Sequence, residues 1–133
     1  RNLRVVHDHE YIINLSKELS IRKNKGDYDK LDPVTHPLVR KHPVTKKPSL
    51  FLSPHTMVKI VDYDYDKGRE LLEKLIEHCI QPKYVYEHIW NNDDIVMWDN
   101  RCTMHSVKPF DNNVIKRIMH RVTLVGDKEP VMA

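Results

Sequence analysis

The hydrophobic positions of this chain follow two periods, and the change of period divides it. Between residues 67 and 79, Leu71, Leu72, Leu75, Ile76 and Cys79 recur at steps of three and four. That spacing lays an apolar stripe along one face and predicts an amphipathic helix from about Lys67 to Cys79. The acid-rich stretch 62–66 supplies side-chain oxygens for its first free N–H groups, and Gln81-Pro82 ends it. An earlier helix is predicted over 2–20, with Leu3, Val6 and Ile13 near one face and Ile12, Leu15 and Leu19 beside them. The charged segment 22–34, with Gly26 and Pro33, reads as an exposed loop.

Elsewhere the pattern is that of strands. Pro37, Pro43, Pro48 and Pro54 forbid a helix across 35–55 and cut it into short extended pieces. Residues 43–46 predict a hairpin turn, with 38–40 and 50–52 as its strands. Further strands are expected at 84–90, at 95–98, around His105 and from about Lys116 to Val125, with a turn at 91–94. Many short strands and two helices predict a mainly β fold with flanking helices, a sandwich or barrel.

Composition narrows the picture. With 133 residues the chain is one domain at most, long enough to build a core. Its 22 basic and 19 acidic residues give a net charge of +3, too balanced to argue for nucleic acid. The basic clusters Arg22-Lys23-Asn24-Lys25, Arg40-Lys41 and Lys46-Lys47 read as solvated loops. No run of 18 apolar residues occurs, so no membrane-spanning helix is expected. The chain opens on Arg1, and a targeting signal upstream of it could not be read. Cys79 and Cys102 stand 23 positions apart, in no CxxC or zinc spacing, and are expected to be reduced thiols of a cytoplasmic protein.

The chemistry concentrates in "MWDNRCTMH", residues 97–105, where an apolar run gives way to an acid, an amide, an arginine and a histidine. Asp111-Asn112-Asn113 is a turn signal, and His105 and Arg117 are equally far from residue 111. A hairpin there would set them on adjacent strands, ~5 Å apart at the backbone. Arg117, Met119 and Arg121 would share one face of the last strand. Two guanidinium groups beside a histidine make an anion pocket, because a planar fork grips a carboxylate or sulfonate with two bonds. Equally, both arginines could simply meet water on an outer face.

These residues carry a resemblance. "NNDDIVMWDNRCTMHSV" with "KRIMHRVTLVGD", at 91–107 and 116–127, resembles the C-terminal signature of the iron(II)- and 2-oxoglutarate-dependent dioxygenases of the taurine and 2,4-dichlorophenoxyacetate dioxygenase family. "NLRVVHDHE", "HPLVRKHPVTKKPSLFLSPH" and "RELLEKLIEHCIQPKYVYEHIW" resemble, in order, the family's upstream helix, the hairpin before its substrate-side loop, and the helix and strand after it. The resemblance implies part of a double-stranded β-helix, or jelly roll. It implies Fe(II), O2 and 2-oxoglutarate as co-substrate, held by two histidines and a carboxylate that leave one face of the metal open. His105 matches the distal histidine ligand. Arg117 matches the arginine that clamps the far carboxylate of 2-oxoglutarate, and Arg121 the one that meets the anionic group of the substrate. Trp98-Asp99-Asn100-Arg101 matches the strand and turn that position the histidine, with core packing an equal reading for Trp98.

One part of the pattern is missing. The family supplies its other two ligands as His-x-Asp or His-x-Glu, and no histidine here is followed two residues later by an acid. "HDHE" at 7–10 fails on spacing, and His7 and Glu10 are expected at a helix surface. The expectation is therefore the C-terminal portion, residues 1–133, of a dioxygenase domain whose His-x-Asp portion is absent. Its partner would be a small anionic organic substrate, a sulfonate or an aryloxyalkanoate, with no nucleic acid and no membrane. A homo-oligomer is left open, and strand edges left bare by the missing portion would be an association hazard. The alternative is a metal-free binding or scaffold relative.

Overall fold

The computed structural model describes residues 2–11, 14, 31–111, 113, 114, 116–124, 131 and 132. The helix expected over 2–20 is corrected at its start. Arg4–His7 is a strand, β1, and among the described residues of this span helical backbone appears at 9–11 and 14. Val5 and Val6 are β-branched, and their strand sits mid-sheet, where both backbone edges are paired. The Asp8 carboxylate accepts from the Glu10 backbone N–H at 2.8 Å, which turns the chain into the helical residues. Residues 12, 13 and 15–30, with most of the expected loop, lie outside the described residues.

β1 is flanked by β2 (Val34–Pro37) and β5 (Met57–Ile60), both antiparallel to it. Val5 faces His36 and His7 faces Val34 on one side, while Val5 faces Ile60 on the other. Side chains alternate between faces, so Val5 and His7 point the same way, together with Val34 and His36. A register shift between Val6 and His7 sets His7 opposite Met57.

The hairpin forms at the expected turn. β3 (Val39–Lys41) pairs with β4 (Pro48–Leu50), Val39 opposite Leu50, and Lys46 takes the left-handed φ of 61° that closes the turn. Pro48 begins its strand, where a missing N–H costs least. A short strand, β6 (Val131–Met132), adds to the other edge of β3. Leu38, between β2 and β3, carries the chain from one sheet to the other and is buried.

Helix α1 spans Tyr65–Cys79, two residues longer at its start than the pattern predicted. Asp64 caps it, its carboxylate accepting from Lys67 N at 3.0 Å. Leu72 is fully buried, with Leu71, Leu75, Ile76 and Cys79 packed at the margin of a core of Val5, Leu38, Leu52, Met57 and Ile60. Arg69 ties the helix to the sheet by donating to the Met57 carbonyl at 2.7 Å.

The second half departs from the expectation. Residues 84–90, 95–98 and 116–124 enter no strand pairing among the described residues, so the architecture is a mixed α/β one with two small antiparallel sheets. The turns between them do form, around Asp93 (φ 67°) and at Asp111, which accepts from Asn113 N at 2.8 Å. The absence of pairing among these described segments has a physical reason. Ile95, Met97 and Leu124 are 94%, 89% and 87% exposed, so their apolar faces meet no covering layer. A two-stranded ribbon without such a layer is marginal in water.

Candidate functional site around the 98–105 turn

The best-built polar structure is the turn that carries His105, and Asp99 is its hub. The Asp99 carboxylate accepts Arg101 N and Nε at 2.9 Å through Oδ1, and Arg101 Nη2 at 2.6 Å through Oδ2. Its backbone carbonyl accepts the Thr103 hydroxyl at 2.7 Å and Thr103 N at 3.1 Å. The Arg101 guanidinium, then His42, hold this carboxyl far below the usual carboxylate range. Trp98 is partly exposed and donates Nε1–H to Asn100 Oδ1 at 2.8 Å, so it belongs to the turn and not to the core. Its ring lies 4.8 Å from that of His105.

His42 joins this turn to the rest of the fold. It is only 8% exposed, and its Nε2 lies 3.0 Å from Asp99 Oδ2. His42, Asp99 and Cys102 bring one donor atom each within 4.8 Å of one another, a spacing that metals also use. The occupancy of those atoms argues for hydrogen bonding instead. Both Asp99 oxygens are engaged by Arg101, and His42 Nδ1 accepts the Val44 and Thr45 N–H groups at 3.2 and 3.1 Å. The His42 hydrogen is thereby placed on Nε2, pointing at Asp99.

His105, Arg117 and Arg121 are all exposed. The Arg117 guanidinium lies 5.9 Å from the centre of the Phe110 ring. No hydrogen bond or ion pair among the described residues joins His105 to either arginine, and the expected 105–117 strand pairing is not formed. The chain thus presents the three groups separately. As a metal set, it offers His105 with Trp98 beside it but no His-x-acid pair, so these 133 residues alone do not fit a complete two-histidine, one-carboxylate centre.

Sequence reading missed a second polar feature. His7 is 6% exposed, at the heart of the first sheet and not at a helix surface. Its Nδ1 lies 2.9 Å from Thr56 Oγ1, and its buried Nε2 has no hydrogen-bond partner. The His36 and Phe51 rings stand 5.5 and 5.3 Å away, and Arg40 lies 4.1 Å over the Phe51 ring. Burial first, then the His36 and Arg40 charges, push His7 down from 6.5 to about 4, so the ring is neutral near pH 7. His7, His9, His36, Phe51, Ser53 and Thr56 line a shallow cleft of about 250 Å³. The strand character of Val5-Val6 was the available signal, since it places residue 7 on the buried face.

Comparison with known proteins identifies relatives of the whole arrangement. The family model described as taurine catabolism dioxygenase TauD, TfdA family, matches residues 1–123. The α-ketoglutarate-dependent 2,4-dichlorophenoxyacetate dioxygenase of Burkholderia sp. (strain RASC) is 40% identical over 96 residues, covering 72% of this chain and 32% of that protein. Pentalenolactone F synthase of Streptomyces arenae is 32% identical over 123 residues, covering 88% of this chain and 41% of its own length. Among solved structures, AAD-2 in complex with Mn(II) and N-oxalylglycine superposes with a TM-score of 0.70 at 39% identity, over 84% of this chain and 43% of AAD-2. The chain therefore spans about a third to two fifths of the length of these relatives.

Proposed function

The chain belongs to the TauD/TfdA family of dioxygenases, and from that premise we propose that it is the His105-bearing portion of an iron(II)- and 2-oxoglutarate-dependent dioxygenase acting on a small anionic organic molecule. The two small sheets and α1 are then part of a jelly roll. The remaining two metal ligands come from polypeptide outside residues 1–133. His105 is the distal metal ligand, Arg117 the clamp for the far carboxylate of 2-oxoglutarate, and Arg121 the contact for the substrate anion. With metal and co-substrate bound, such a centre supplies oxidative decarboxylation of 2-oxoglutarate coupled to hydroxylation of the substrate.

The observation that carries this reading is the Asp99 turn. Asp99 ties Arg101 and Thr103 into one hydrogen-bonded turn, and Trp98, bonded to Asn100 of the same turn, sets its ring beside His105. A ligand imidazole needs its ring held by such neighbours if a metal is to find it in one orientation. Arg117 and Arg121, four residues apart and exposed, remain free to close on anions once strands flank them. Aryloxyalkanoates are favoured as substrates, because relatives named for 2,4-dichlorophenoxyacetate and (S)-phenoxypropionate are 40% and 38% identical to this chain. Sulfonates are the second class.

The test is to extend the chain with a His-x-Asp-bearing segment of an aryloxyalkanoate relative and measure succinate released with iron(II) and 2-oxoglutarate. Turnover with aryloxyacids or sulfonates is expected. A folded product that gives no succinate with either class defeats the assignment. The missing His-x-acid motif specifically favours a second reading, a metal-free binding relative. That reading predicts no metal uptake even in the longest natural chain and indifference to Arg117→Ala.

A further inference from the structure

Resting on the reading just given, we propose that His42 is a positioning residue for the metal site: through Asp99 it fixes the turn that presents His105. His42 lies 57 positions from Asp99 in sequence, at the end of β3, yet their side chains meet at 3.0 Å. The hairpin turn is wrapped around the His42 ring. Its backbone donates to the Lys47 carbonyl at 2.9 Å and accepts from Lys46 N at 2.9 Å. Val44 N and Thr45 N both point at Nδ1. These bonds fix the ring plane, and by occupying Nδ1 they commit the hydrogen to Nε2.

The direction of that hydrogen matters. Asp99 is negatively charged, and a buried N–H donated to a carboxylate is a strong, directional bond. The other Asp99 bonds described above stay within its own turn and set the turn's shape but not its place. The bond from His42 ties that shape to the β3–β4 hairpin. In this way a rigid sheet element holds a turn whose far end carries the proposed metal ligand. His42 touches neither substrate nor metal in this account. Its contribution lies in where His105 is held.

Nuclear magnetic resonance on the 133-residue chain tests the positioning directly. Long-range nitrogen–proton correlations should show His42 hydrogen on Nε2. In His42→Phe, amide exchange at Arg101, Cys102 and Thr103 should quicken about tenfold, the worth of one such bond. The ring-current shift that Trp98 imposes on His105 should shrink. His42→Gln, which can still donate to Asp99 and accept from the hairpin amides, should restore both. If His42→Phe loses the hairpin, Asp99→Asn weakens the same bond together with the Arg101 side-chain bonds, so it is read against Arg101→Ala, and changes at 101–105 beyond those of Arg101→Ala are expected. An Nδ1–H tautomer, or a turn unaltered in both variants, overturns the proposal.

A second arm reads the metal. In the protein extended with a His-x-Asp segment, Mn(II) affinity measured by electron paramagnetic resonance should fall about tenfold or more in His42→Phe, with the KM for 2-oxoglutarate unchanged at saturating iron(II). Equal Mn(II) affinity in wild type and variant overturns the positioning role while leaving the dioxygenase reading intact. Absence of Mn(II) binding in the wild-type extended protein defeats the dioxygenase reading, and this inference falls with it.

Discussion

Acidification should weaken this fold through one imidazole, that of His7. The ring is buried between the first sheet and Phe51, and its ordinary value of 6.5 is pushed down to about 4. The unfolded chain therefore binds a proton at higher pH than the folded one does. Between pH 6.5 and 4 the unfolded state holds more protons, so stability rises with pH across that window. Above about 6.5 the contribution is complete. Below about 4 both states are charged and nothing further is lost. Each unit of separation is worth about 1.4 kcal/mol, so the whole window amounts to about 3 kcal/mol. Urea unfolding followed by circular dichroism at half-unit pH steps measures this, with His7→Phe as reference. The carboxylates titrate in both proteins and cancel in the difference. The wild type should lose about 3 kcal/mol more than His7→Phe on going from pH 6.5 to 4. Parallel profiles, or a His7 ring resonance that titrates above pH 6, would refute the reasoning.

Other outcomes follow from packing and charge. Leu72→Ala removes a fully buried side chain between α1 and the sheet and should cost about 2–5 kcal/mol in the same unfolding assay, with the higher end expected if no neighbour collapses inward. Gly68 is buried within α1, but an added Cβ would sit 3.5 Å from Tyr63 Cδ1 and 3.8 Å from Ile60, ordinary contact distances. Gly68→Ala should therefore raise the free energy of unfolding by the helix-propensity gain, about 0.5–1 kcal/mol. In the extended protein, Arg117→Ala should raise the KM for 2-oxoglutarate about ten- to a hundredfold, the worth of a charge-assisted bidentate bond. Arg121→Ala should raise the KM for the anionic substrate and leave that for 2-oxoglutarate alone.

The sequence was legible where local physics decides the outcome. The stripe Leu71–Cys79 and the acid-rich start before it fixed α1 to within two residues, because helix faces and caps are local. The prolines of 35–55 and the turn at 43–46 marked the hairpin for the same reason. Residues 4–7 misled, since Leu3, Val6 and Ile13 suit a helical face as well, and only the two flanking strands decide for β1. The segments 84–124 alternate as strands do, but alternation yields a strand only where a neighbour accepts its hydrogen bonds and a layer covers its apolar face. Trp98-Asp99-Asn100-Arg101 was readable as a turn. Its anchor was not, because the bond from His42 spans 57 positions and leaves no periodic trace in the sequence.

The central claim is that His105 belongs to a metal centre that receives 2-oxoglutarate. Its most direct test is anaerobic calorimetry of 2-oxoglutarate binding to the extended protein, with and without Mn(II), in wild type and His105→Ala. Binding should require the metal and should vanish in His105→Ala while the protein stays folded. Equal binding by both proteins, or binding indifferent to Mn(II), would contradict the account.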